Sequence, residues 1–148
     1  MSTGAWFLVV TLALALAFGL YRALTDGRFR GTHKVRGGAE VEGETGPGSV
    51  LDGTPWSDGL GESYTLLQFS SAFCAPCRAT RRILEDISGV VPGVAHIEVD
   101  AEHHLDLVRQ VGILRTPTTL ILDRRGVEIS RATGAPTKQQ VLGVLGAL

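Results

Sequence analysis

Cys74 and Cys77 are the only cysteines in the 148-residue chain, and they stand three apart in Phe73-Cys74-Ala75-Pro76-Cys77. Two thiols at this spacing fit within one helical turn, so a disulfide between them opens and closes with little backbone movement. With no other cysteine present, the pair belongs to no disulfide framework. Two chemistries suit it: reversible thiol–disulfide exchange, or half of a zinc site. Zinc would need a second ligand pair at comparable spacing. His103 and His104 are adjacent in the chain and do not readily face one ion together, so the reading adopted is redox chemistry with no metal.

The flanking residues must position the thiols. Before the pair runs Tyr64-Thr65-Leu66-Leu67-Gln68-Phe69, a β-rich apolar stretch; after it, Arg78 to Ile87 carries apolar residues at helical spacing. Pro76 suits the first turn of a helix, where its missing N–H is not needed. The pair therefore caps a helix that follows a strand. The free N–H groups and partial positive charge of a helix N-terminus stabilise a thiolate on Cys74, and Arg78 adds a cation within a turn. Cys77 lies nearer the packed side of the helix. Cys74 is thus the attacking thiol and Cys77 the resolving thiol.

Three stretches in order carry a family likeness: Ser71-Ala72-Phe73-Cys74-Ala75-Pro76-Cys77-Arg78, then Val94-Ala95-His96-Ile97-Glu98-Val99-Asp100, then Gly112-Ile113-Leu114-Arg115-Thr116-Pro117-Thr118-Thr119-Leu120. From Tyr64 to Leu148 the chain resembles the thioredoxin-like superfamily. That resemblance implies an α/β thioredoxin fold, a central mixed sheet flanked by helices. It implies a thiol–disulfide oxidoreductase with protein disulfides as substrates, no cofactor, and an electron donor such as a thioredoxin-reductase-type system. It also implies a cis bond at Thr116–Pro117, which turns the Thr116 backbone toward Cys74 so that an extended substrate pairs there. Read from the residues alone, Pro117 could simply start a strand. Phe73, Ala75, Pro76, Thr116 and Pro117 form the expected substrate-binding loop.

The departures from the family pattern are specific. Phe73 and Ala75 stand where Trp and Gly are usual. Gln68 stands at the position of the family's buried acid, and His96 at that of its lysine partner. In the family the acid takes the proton of the resolving thiol through water. Gln68 cannot do so at neutral pH, which leaves His96, Glu98 or solvent. Arg78, Gln68 and His96 are accordingly the residues expected to tune the thiols.

The length suits one domain of ordinary size. A net charge of −1 leaves no nucleic-acid footprint. Lys34 and Lys138 are the only lysines among the basic residues, an arginine bias of the kind GC-rich bacterial genomes produce. Ala5 to Tyr21 carries no charge and approaches the length of a membrane-spanning helix, with Trp6 and Tyr21 near its ends as interfacial aromatics. Met1-Ser2-Thr3-Gly4 lacks the basic residues of a signal peptide, so residues 1–24 read as a retained single-pass anchor in the cell membrane.

Arg22, Arg28, Arg30, Lys34 and Arg36 follow the span, with Asp26 the one acid among them. Basic flanks stay on the cytoplasmic side, which places the redox domain in the cytoplasm. The alternative orientation makes it an extracytoplasmic reductase of exported or apocytochrome thiols. A non-enzymatic binding or redox-sensing module is the reading from another class.

Residues 25–62 read as a basic juxtamembrane segment and a Gly-rich tether, with Ser49-Val50-Leu51 or Pro55-Trp56 able to dock on the domain or add a short strand. Residues 63–148 form the thioredoxin-like domain. Its expected order is strand 66–69, helix 75–88, strand 95–99, helix 102–111, strand 118–122, strand 127–133 and helix 137–148. The alternating first half implies a right-handed parallel βαβ unit. The cluster Asp100, Glu102, His103, His104 and Asp106 reads as a solvated helix start. The family's extra N-terminal strand and helix look shortened or absent.

Overall fold

A computed structural model describes residues 3–25, 27–31 and 48–146. Strand β2 (Tyr64–Ser70) is buried at every position after Tyr64, as a strand covered on both faces must be. It leads through a short loop into helix α2 (Ala75–Val90), whose buried residues Cys77, Thr80, Leu84 and Ile87 form one stripe at helical spacing. Strand β3 (Val94–Asp100) returns parallel to β2, with Leu66 opposite His96 and Gln68 opposite Glu98. Helix α3 (Leu105–Val111) follows, and then strands β4 (Thr118–Asp123) and β5 (Glu128–Thr133) form an antiparallel hairpin. Helix α4 (Lys138–Leu145) opens on a capping box between Thr137 and Gln140, which satisfies two N-terminal N–H groups reciprocally.

Because side chains alternate along a strand, the sheet has two cores. On one face Leu66 and Ile121 pack with Leu84 and Ile87 of α2 and Val141 of α4. On the other, Leu67, Phe69, Leu120 and Leu122 pack with Leu107, Ile113 and Leu51.

Leu51 takes up the docking expected of Ser49-Val50-Leu51, and the difference lies in where the domain starts. Leu51 is 0% exposed, inside a stretch expected to be tether, and Val50, Trp56 and Leu60 pack beside it. The Val50 N–H donates to the Gly126 carbonyl at 2.8 Å, and Trp56 stands edge-on to His104 with ring centroids 4.7 Å apart. The globular unit therefore takes in residues ahead of 63. Isolated apolar residues among glycines and acids gave no periodicity to read. Residues 37–47 of the expected tether lie outside the described residues.

A second difference is at the N-terminal side. Helix α1 (Thr3–Thr25) is followed almost at once by strand β1 (Phe29–Gly31), which pairs antiparallel with the outer edge of β5, Phe29 opposite Ala132. The sheet order is β1-β5-β4-β2-β3. Gly27 makes the entry possible: its φ is +75°, and a Cβ there would lie 2.2 Å from the Ala135 carbonyl oxygen. The expected helix start at 102 is also shifted. Asp100 accepts the Glu102 N–H at 2.9 Å and faces His103 Nδ1 at 2.8 Å, closing a turn that holds the chain out of the helix until Leu105.

Helix α1 is long and apolar enough to cross a membrane over Gly4–Thr25, and it is exposed from Gly4 to Leu24.

Candidate active site

Cys74 and Cys77 are joined in a disulfide at the start of α2, with Cα atoms 5.2 Å apart. Cys74 is the N-cap residue in extended conformation, and its sulfur accepts the Cys77 N–H at 3.1 Å. Pro76 lies in the first turn. The same N–H that caps the helix is thus available to a thiolate on Cys74, an acceptor that a neutral thiol matches poorly. The cysteines differ in access: Cys74 is half-buried, whereas Cys77 is 2% exposed beneath the helix.

The Thr116–Pro117 bond is cis. The Thr116 hydroxyl lies 3.1 Å from that of Ser71, which brings the loop before β4 against the loop before Cys74. Phe73 is 98% exposed, and Ala72, Ala75 and Pro76 are also exposed. The rim around Cys74 therefore presents apolar surface beside an open loop.

Beneath Cys77 lies a polar network. Gln68 is fully buried; its Nε2 donates to the Cys77 carbonyl at 2.9 Å, and its Oε1 faces His96 Nε2 at 3.3 Å. With the amide nitrogen committed to Cys77, the amide oxygen accepts from a protonated His96 Nε2. Burial pushes the His96 imidazole below its ordinary value, aided by Arg81 and opposed by Glu85 and Glu98.

One register step further toward the helix start, the Ser70 hydroxyl donates to Glu98 at 2.6 Å, and Glu98 also pairs with Arg81. The hydrogen bond that Arg81 donates to Glu98 raises its guanidinium above its ordinary pKa. Arg78, Arg81, Glu98, Ser70, Asp100 and Cys77 line one open cleft. Gln68, His96, Arg78 and the 73–77 loop thus gather around the cysteines. Ser70, Ser71 and Arg81 were not singled out from sequence. Their signal was the period-two polar pattern of β2 and β3, and the four-residue step from Cys77 to Arg81.

The thioredoxin family model matches residues 51–146, about two thirds of the chain. The chain belongs to the thioredoxin family. It is 26% identical to a thioredoxin of Chlamydia trachomatis over 65% of this chain and 93% of that one. It is 32% identical to a thioredoxin of Mycolicibacterium smegmatis over 64% and 87%. Among solved structures, the short form of spinach chloroplast thioredoxin f superposes with a TM-score of 0.55 at 22% identity, covering 67% of this chain and 88% of that one. A mutant thioredoxin of Halobacterium salinarum also gives 0.55, at 18% identity, covering 62% and 76%. At these identities the structures match the fold. With the cysteine pair in disulfide contact, the family assigns thiol–disulfide oxidoreductase activity.

Proposed function

We propose that this thioredoxin-family protein is a membrane-tethered reductase of protein disulfides, held by α1 with its redox domain on the cytoplasmic side. In a reducing compartment the resting pair is a dithiol. The Cys74 thiolate attacks one substrate sulfur, and the other sulfur leaves as a thiolate and takes a proton. Cys77 then loses its proton and attacks Cys74, releasing the second substrate thiol. Two electrons pass to the substrate, and a thioredoxin-reductase-type donor returns them. Thr116, Pro117, Phe73, Ala75 and Pro76 are proposed to hold the substrate strand, with Arg78, Gln68 and His96 tuning the thiols.

The unequal setting of the two sulfurs carries this reading: Cys74 stands at the helix cap and Cys77 is buried beneath it. Trapping tests the roles. Cys77→Ser is expected to accumulate mixed disulfides with substrate and Cys74→Ser to accumulate none; equal trapping by both variants overturns the assignment. The wild-type protein should also reduce insulin disulfides with a dithiol as electron source, which a pure binding module does not.

A further inference from the structure

The active-site end of the domain is also the end from which the membrane helix leaves. Strand β2 ends at Ser70, and Cys74 lies just beyond it. Strand β4 is antiparallel to β2, with Phe69 opposite Thr118, so β4 begins at that same end. The hairpin places Thr133 opposite Thr118, so β5 finishes there. Strand β1 starts there in turn, with Phe29 opposite Ala132. Two backbone bonds pin the corner: the Gly27 N–H donates to the Thr133 carbonyl at 2.9 Å, and the Gly134 N–H to the carbonyl of Pro117 at 2.8 Å.

Only residues 26–28 separate α1 from β1, a reach from Thr25 to Phe29 of at most about 14 Å. The 23 residues of α1 span roughly 35 Å, a little more than the ~30 Å hydrocarbon layer, so Thr25 falls at head-group depth. Across the sheet, β1 and β2 are three strand spacings apart, about 14 Å. Helix α1 does not lie along the domain, since its side chains are exposed from Gly4 to Leu24. Among the described residues, the two most exposed large apolar side chains outside α1 are Phe73, at 98%, and Leu114, at 96%, three residues before Pro117. Both border this end.

Resting on the reading that α1 spans the bilayer, we infer that the redox pair faces the membrane surface and serves disulfides held close to it. The substrate class is membrane proteins whose cysteine pair lies at or just outside the head groups. A short tie that fixes height and orientation raises the effective concentration of the thiols for such a substrate and lowers it for one held far above the bilayer.

The full-length protein in liposomes tests this. In a Trp6→Phe background, where Trp56 remains as a donor common to both variants, Leu114→Trp adds a donor at the active-site end and Arg124→Trp one in the β4–β5 turn, at the opposite end. With dansyl-labelled head groups as acceptor, energy transfer is expected to be clearly larger from position 114 than from 124. Equal transfer, or larger transfer from 124, overturns the inference.

Activity gives a second readout. Two lipid-anchored disulfide peptides are compared, one with its disulfide directly after the anchor and one on a polyproline spacer of ~20 residues, roughly 60 Å long. Dithiothreitol returns the two electrons used in each turnover. The proximal disulfide is expected to be reduced several-fold faster; no preference, or the reverse, overturns the inference while insulin reduction still supports the oxidoreductase reading. Alkaline carbonate extraction separates the premise: release of the protein from membranes overturns the spanning reading and the inference with it.

Discussion

At the scale of single residues, the departure at Gln68 has a defined structural form. A neutral amide holds the Cys77 carbonyl and is itself held by His96, where the family's pattern places an acid and a lysine. Gln68 does not accept the Cys77 proton as a carboxylate does, so attack by Cys74 should be fast and deprotonation of Cys77 slow near neutral pH. Gln68→Asp puts a carboxyl group in a site with no solvent exposure, and burial raises its pKa toward the range in which general bases work best. The expected outcome is faster resolution of the mixed disulfide, with a stability loss of about 1–3 kcal/mol because the Cys77 carbonyl loses its donor. Single-turnover release of a labelled substrate measures it; an unchanged rate in a folded variant assigns the proton to His96, Glu98 or solvent.

His96 gives a pH dependence of fixed sign. Its folded-state pKa is lowered, chiefly by burial. Above the unfolded value of about 6.5 the imidazole is neutral in both states and its contribution is fully present. As pH falls through that value toward the lower folded one, the unfolded chain takes up the proton first, and stability is lost. The urea midpoint should therefore drop between about pH 7.5 and about pH 5.5, and drop less in His96→Gln. Parallel declines in the two proteins would assign the acid sensitivity to other groups.

At the scale of elements, the parts legible in the sequence were those with a strong period or punctuation. The β-rich apolar run before Cys74 and the apolar stripe after it placed β2 and α2, and the expected strands 118–122 and 127–133 placed the β4–β5 hairpin, all to within two residues. What escaped had no local pattern. Strand β1 is three residues long, and what defines it is its pairing with β5 and the room Gly27 leaves against Ala135, neither visible along the chain. Leu51 lies in one of the two segments expected to dock, but its full burial depends on Leu67, Phe69 and Leu122 arriving from two strands. Its energetic role separates core from tether. Leu51→Ala should destabilise the domain by about 2–5 kcal/mol through the cavity it leaves, read as a shift of the urea midpoint. A change within about 0.5 kcal/mol is what a solvated tether would give.

For the whole molecule, the proposed membrane anchorage makes the orientation of α1 decide what the chemistry accomplishes. Arg22, Arg28, Arg30, Lys34 and Arg36 lie on the domain side of α1, and Asp26 is the one acid among them; Lys34, Arg36 and the Arg30 side chain lie outside the described residues. Moving such a cluster outward opposes the bias that keeps Lys and Arg in cytoplasmic flanks. On that side the glutathione and thioredoxin pools hold the pair reduced, and the protein donates electrons. On the other side the same geometry would need a dedicated reductant to avoid standing as a disulfide. A reporter active only in the cytoplasm, fused after Leu148, should therefore give signal, and replacing the five basic residues by neutral ones should lower it. The decisive probe is a maleimide that does not cross membranes, applied to intact cells after mild reduction. Cys74 should stay unlabelled until the membrane is opened, and Cys77 should label poorly even then because it is buried. Labelling of Cys74 in intact cells reverses the proposed orientation; the three residues between α1 and β1, on which the proposed surface placement rests, are the same either way.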